Sequence, residues 1–298
     1  MDNLIERFEA DCRLRHLKAV DTYLVYVRDF ARLQSDLAHP SRDALKAYLE
    51  VLRGRQMKYS SIVRAFASLS AFYEFLVAEG EIESNPIRPF RSRYIRAYKE
   101  DAMQDRRQLI SVEDATKIVS STLKTRDRAI IVLLLKTGMR QGELRALDVG
   151  DVDLEKGEVR LKPTAKRSNR LLFLDQESIR VLGAWLQARK HQRLNGCTAL
   201  FPSLQARRLS NPQLIYIVSQ AAERVRLHDP NSNCLEKRFT PHCCRHWFTT
   251  HLLRAGMKRE HVAWLRGDHD GSAIMTYYHI DPEDVRRSYL ACIPQLGI

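Results

Sequence analysis

The chain has 298 residues, 44% of them hydrophobic and 29% charged, enough apolar material for two packed domains and too much for a largely disordered polymer. Lysine and arginine number 49 against 36 aspartates and glutamates, a net charge of +13 that favours a polyanion as partner. The acidic opening MDNLIERFEADCRLRH does not read as a signal peptide, and the longest apolar run, residues 129–135, is too short to cross a bilayer. Six cysteines without regular spacing predict reduced thiols in a cytoplasmic protein with no membrane partner.

Taken in chain order, residues 4–14 and 19–33 carry helical patterns, and Ser41 offers an N-cap for a third helix. Ile62, Phe66, Leu69, Tyr73 and Leu76 step by four and three along one face of a fourth, capped by Ser60 or Ser61 and ended by Gly80. These four helices predict a small bundle over residues 1–85. Pro86 and Pro89 are expected to break any further helix, leaving residues 86–107 as a basic linker. Its arginines alternate with Tyr94 and Tyr98, which suits either a solvated connector or a segment lying along a nucleic-acid backbone.

A second domain is expected over residues 108–280. Ser111 and Asp114 form a cap, and residues 127–138 read as a buried helix ending near Gly138. Between residues 152 and 174 the pattern turns to short strands, with turns at residues 155–157 and 166–169. Helix resumes from Gln176. The expected class is mainly α with a small antiparallel β-sheet. Residues 281–298 form a tail whose helix opens on Pro282 and carries a short apolar stripe of Val285, Tyr289 and Leu290 or Cys292.

The stretch TPHCCRHWFTTHLL, residues 240–253, holds two cysteines and three histidines. Adjacent Cys243 and Cys244 point about 100° apart on a helix, and no second pair follows at zinc-site spacing, so no metal is assigned. Cys243, Phe248, Leu252 and Leu253 are candidates for burial. His242 and Arg245 project from the helix start, where the N-terminus already favours an anion, and together they could cradle a phosphate.

Two further segments give that stretch its context: KTGMRQGELRALDVGDVDL upstream and LRGDHDGSAIMTYYHIDPE downstream. Together the three closely resemble the tyrosine recombinases, the phage integrase family that includes the lambda-type, Cre and Xer proteins. The resemblance implies a helical, SAM-like core-binding domain followed by a catalytic domain of the DNA-breaking–rejoining fold, closing as a clamp on duplex DNA. It makes Arg140, His242 and Arg245 catalytic. Aligning Gly267 with the family glycine selects Tyr277 as nucleophile, and Tyr278 would need a one-residue slip. The Asp268 variant and the tail are most similar to archaeal and archaeal-virus integrases.

The same resemblance implies that the tyrosine hydroxyl attacks a phosphodiester, leaving a 3′-phosphotyrosyl link that a partner strand's 5′-hydroxyl reverses through a Holliday junction. Elementary chemistry agrees. Charge gathering on the non-bridging oxygens needs positioned cations, and two arginines supply paired donors without a metal or other cofactor. Energy kept in the phosphotyrosine removes any need for a nucleotide. The general acid is expected to be a hairpin lysine, Lys166 at the turn, with Lys162 in reserve. Glu143, three residues after Arg140, could brace an arginine or histidine.

One departure stands out. The family usually places His or Trp directly after that glycine, where this chain has Asp268; the carboxylate either points elsewhere or holds Arg140 or Arg245, and His269 could supply the missing donor. Lys58, Ser60, Ser61, Arg64, Arg91, Arg93, Arg96 and Lys99 are the candidates for DNA contact. The implied partners are double-stranded DNA bearing a specific recombination site and further copies of the chain, four on DNA, with the protein associated with the nucleoid. The tail is expected to dock on a neighbouring protomer. Xer-type chromosome dimer resolution, a tyrosine transposase, a type IB topoisomerase and a catalytically silent DNA-binding protein are the competing readings.

Overall fold

The computed structural model describes residues 2–34, 36–95, 108–163, 171–232, 234–268 and 280–298. The chain divides into two compact units, Met1–Met103 and Gln104–Ile298, each with its own apolar core.

The first unit is a helical bundle of α1 (Asp2–Leu14), α2 (Val20–Ala31), α3 (Arg42–Gly54) and α4 (Tyr59–Ala78), extended by a short α5 (Ile87–Tyr94). The face expected on α4 is buried throughout, and Tyr73 donates its hydroxyl to the Leu37 carbonyl at 2.7 Å. Although α4 is long and apolar enough to cross a membrane, its apolar face is committed to this core. It begins earlier than expected: Lys58 occupies the cap position and its carbonyl accepts from the Ser61 and Ile62 amides, so Ser60 and Ser61 lie within the first turn instead of capping it.

The expected helix break at Pro86 and Pro89 is corrected by α5. Pro86 sits at the cap and Pro89 falls in the first turn, where the N–H groups have no helical partner in any case. Asn85 prepares this start by accepting from the Ile87 amide at 2.9 Å while donating to the Ser70 carbonyl at 2.9 Å. Ile87 and Phe90 are buried, and Phe90 stacks on Phe66 with centroids 5.3 Å apart. Arg91 and Arg93 therefore lie on a packed helix.

In the second unit, Ser111 caps α6 (Val112–Ser120) through the Asp114 amide. The central helix α7 (Thr125–Thr137) is buried on every side from Ala129 onward, with α9 (Gln176–Lys190) and α11 (Pro241–Arg254) packed against it. Around it stand α8 (Gln141–Ala146), α10 (Asn211–Arg224) and α12 (Arg259–Arg266). Strands β1 (Val152–Asp153), β2 (Glu158–Arg160) and β3 (Leu171–Phe173) form an antiparallel sheet in that order, with Val159 facing Val152 and Leu172.

The tail helix α13 (Pro282–Cys292) docks on its own unit. Val285, Tyr289, Ile293 and Leu296 are buried, and the Tyr289 hydroxyl donates to the Lys136 carbonyl at 2.9 Å. The stripe thus finds cover within its own unit, where a neighbouring protomer was expected to supply it; Leu290 faces outward. Beneath the tail, the fully buried Lys136 ammonium lies 2.6 Å from each of Asp175, Glu177 and the Pro294 carbonyl. Glu177 also accepts the amides of Leu296, Gly297 and Ile298.

Lys136→Met should strand two buried carboxylates and destabilise the second unit by about 3–5 kcal/mol, read by urea unfolding; an unchanged midpoint would remove this network from the stability account. Burial pushes the Glu177 carboxyl up, but Lys136 and the tail amides outweigh it and leave it below its ordinary 4.5. Because the folded value is the depressed one, the contribution of Glu177 is present above pH 4.5 and is lost as pH falls through that lower value.

Candidate active site

The site is built where two helices end. Gly138 closes α7 in the left-handed conformation (φ +59°), and a Cβ there would stand 2.3 Å from Cδ1 of Phe248 on α11, so the position admits only glycine. Gly267 closes α12 in the same way (φ +61°), and the next amide, of Asp268, donates back to the Ala263 carbonyl at 3.2 Å. These two reversals turn the Gly138 carbonyl and the Asp268 side chain toward Arg245.

Arg245, on α11, is 5% exposed. It donates from Nη1 to the Gly138 carbonyl at 2.7 Å, and from Nη2 to the Arg266 carbonyl at 3.1 Å and to Oδ1 of Asp268 at 3.1 Å. Burial, with Arg140 and Arg266 close by, pushes its pKa down to about 10 against the opposing pull of Asp268 and Glu143, so it stays charged at neutral pH. Arg140, at the cap of α8, donates from Nη2 to the same Asp268 oxygen at 3.0 Å. Glu143 braces Arg140 twice, accepting from its backbone amide at 2.7 Å and from Nη1 at 3.2 Å. Arg266 lies with Nε 2.6 Å from Oδ2 of Asp268.

Arg140, Glu143, Arg245 and Asp268 are therefore brought together, and the Asp268 carboxylate holds both arginines at once. Sequence reasoning missed Arg266. Its one signal was its place directly before Gly267, which puts it in the last turn of α12 and beside Asp268.

His242 and Arg245 share the opening of α11 but part in burial, His242 being exposed. Cys243 has a capping part, its sulfur 3.4 Å from both the Thr240 amide and the Arg238 carbonyl, while Cys244 is fully buried and burial pushes its thiol well up. Phe248 and Leu252 are buried as expected, whereas Leu253 is exposed. Lys162 pairs with Asp148 at 3.1 Å and Asp151 at 2.9 Å, contacts that tie the reserve lysine to the base of the sheet.

Among the DNA-contact candidates, Lys58, Ser60, Ser61 and Arg64 gather in the first turns of α4, with Lys58, Ser60 and Arg64 exposed. Arg91 and Arg93 follow on α5. Arg96, Lys99, Lys166, His269, Tyr277 and Tyr278 lie outside the described residues.

Two family models match the chain: the phage integrase family over residues 105–284, and the phage integrase N-terminal SAM-like domain over residues 5–80. A tyrosine recombinase XerC of Herpetosiphon aurantiacus is 32% identical over 248 residues, covering 80% of this chain and 76% of that protein. A second XerC, of Pelotomaculum thermopropionicum, is 30% identical over 279 residues, covering 90% and 85%. Among solved structures, a lambda integrase dimer bound to a COC′ core site has the same fold, with a TM-score of 0.68, 17% identity and coverage of 95% of this chain and 99% of that one.

Gly138→Ala should cost about 2–4 kcal/mol from left-handed strain together with overpacking against Phe248, seen as a lower Tm. An unchanged Tm would show that α11 is free to shift away from the end of α7.

Proposed function

The chain belongs to the phage integrase family, and we propose that it uses the arginine cradle to break and rejoin DNA strands as a tyrosine site-specific recombinase. One observation carries this reading: Nη2 of Arg140 and Nη2 of Arg245, brought from distant segments, converge on a single acceptor oxygen. That is the arrangement a non-bridging phosphate oxygen requires in a transition state where charge accumulates on it. The guanidinium forks supply fixed donors that need no reorganisation at the moment of reaction.

In this mechanism Tyr277 attacks the scissile phosphorus and becomes the 3′-phosphotyrosyl link. His242, exposed at the start of α11, takes the tyrosine proton or holds a phosphate oxygen. Lys166 protonates the leaving 5′-oxygen, a choice favoured by the commitment of Lys162 to Asp148 and Asp151. The partner is duplex DNA carrying a recombination site, gripped in part by Lys58, Ser60, Ser61 and Arg64, and four copies of the chain bring two such sites together. The XerC relatives favour a second reading for the biological outcome, resolution of chromosome dimers in place of integration of a mobile element.

The test is trapping of covalent protein–DNA adduct on a nicked site-bearing duplex in a denaturing gel. Tyr277→Phe should form no adduct yet bind the duplex nearly as before; an adduct in Tyr277→Phe and none in Tyr278→Phe would move the nucleophile by one residue. Adduct should also form in EDTA without nucleotide, and an absolute metal requirement would sink the mechanism.

Arg140→Ala and Arg245→Lys should each slow cleavage by about two orders of magnitude, the scale of one lost oxyanion donor, with a much smaller loss of binding. Arg245→Lys is the informative change there, because lysine keeps the charge but cannot reach the Gly138 carbonyl, the Arg266 carbonyl and the substrate together. Equal losses in binding and cleavage would reduce both arginines to ordinary phosphate anchors.

A further inference from the structure

Asp268 does more than lie near the cradle: its carboxylate fills it. Oδ1 accepts from Nη2 of Arg140 at 3.0 Å and from Nη2 of Arg245 at 3.1 Å, while Oδ2 pairs with Nε of Arg266 at 2.6 Å. Nη2 of Arg245 carries two hydrogens, and the other is directed at the Arg266 carbonyl at 3.1 Å. A phosphate oxygen can therefore take the shared position only when the carboxylate oxygen leaves it. Both groups are anionic acceptors of the same kind, so they compete for the same donors.

We propose that Asp268 is a positioning residue that occupies the arginine cradle in the DNA-free protein and yields it to the scissile phosphate, so that loading the site is an exchange of carboxylate for phosphate. This rests on reading the cradle as the phosphate site. The charge balance explains the need. Arg140, Arg245 and Arg266 bring three positive charges into one small volume, and Arg245 is buried; Glu143 and Asp268 return two. An anion on Oδ1's position offsets the mutual repulsion of the guanidinium groups, while Glu143 and the Gly138 and Arg266 carbonyls hold Arg140 and Arg245 independently of it.

Arg266 supplies the pivot. Its Nε lies at ion-pair distance from Oδ2, so the carboxylate keeps a cationic partner after Oδ1 has been displaced. The exchange also filters ligands. A free phosphate ion must displace an anchored carboxylate with nothing else to help it, whereas a phosphate within duplex DNA arrives with many other backbone contacts already made.

Thermal unfolding of the whole protein against inorganic phosphate, at constant ionic strength and pH 8, reads binding at the cradle. Asp268→Asn keeps the shape and one acceptor oxygen but loses the charge, and should bind phosphate about ten-fold more tightly than the unaltered protein. Asp268→His, neutral at that pH, is read in the same way and serves if the Asn variant does not fold. The gain must vanish when Arg140→Ala is added; a gain that persists means that phosphate binds elsewhere, and overturns the exchange.

On a nicked site-bearing duplex, Asp268→Asn should lower the KM for adduct formation more than it changes kcat. A mere structural brace would instead lower kcat and Tm and leave KM alone. Equal phosphate affinity in the variants and the unaltered protein overturns the exchange. Should no version form adduct while phosphate affinity still rises in the variants, the recombinase reading falls and the exchange stands.

Discussion

Arg245 brings a full positive charge into the interior of the second unit, and the groups that satisfy it dictate much of what surrounds it. A buried cation is tolerated only when its donors are matched, and two of the acceptors here are main-chain carbonyls, of Gly138 and Arg266. Main-chain acceptors are aimed by the backbone, so the ends of α7 and α12 have to stop where they do. Both stop on a left-handed glycine. The third acceptor is the Asp268 carboxylate, placed by the second of those reversals, and through it Arg140 and Arg266 join the same cluster.

The central helix α7 links this cluster to a second buried charge. Gly138 holds Arg245 at its C-terminal end, and two residues earlier Lys136 holds Asp175, Glu177 and the tail at Pro294. The Tyr289 hydroxyl meets the Lys136 carbonyl, and the Tyr289 ring lies 6.4 Å from that of Phe248, the side chain that closes over Gly138. The docked tail and the arginine cradle thus both rest on the last turn of α7.

Much of the local structure was legible in the chain. Helical periodicity located the bundle, the Ser41 and Ser111 caps appear where expected, and the short strands fall between residues 152 and 174. The misplaced features share a cause. Pro86 and Pro89 were weighed as breakers, but a proline in the first turn costs no hydrogen bond, and the Ile87–Phe90 pair had a core to enter. The tail stripe is too short to stand alone, and the family resemblance pointed it to a neighbouring protomer; the buried Lys136 that meets Pro294 and Tyr289 looks in the sequence like an ordinary charge at a helix end.

Sequence by itself determined the type of most elements and put His242 and Arg245 at one helix start, because those depend on spacing along the chain, and the resemblance of its motifs added Arg140 as a candidate. Tertiary structure alone decided that Asp268 holds both arginines, that Arg266 joins them, that Lys162 is tied to Asp148 and Asp151, and that the tail lies on its own unit. Those facts turn on which charges share a buried volume after folding. Coulomb attraction and desolvation act through space, and spacing along the chain carries no record of either.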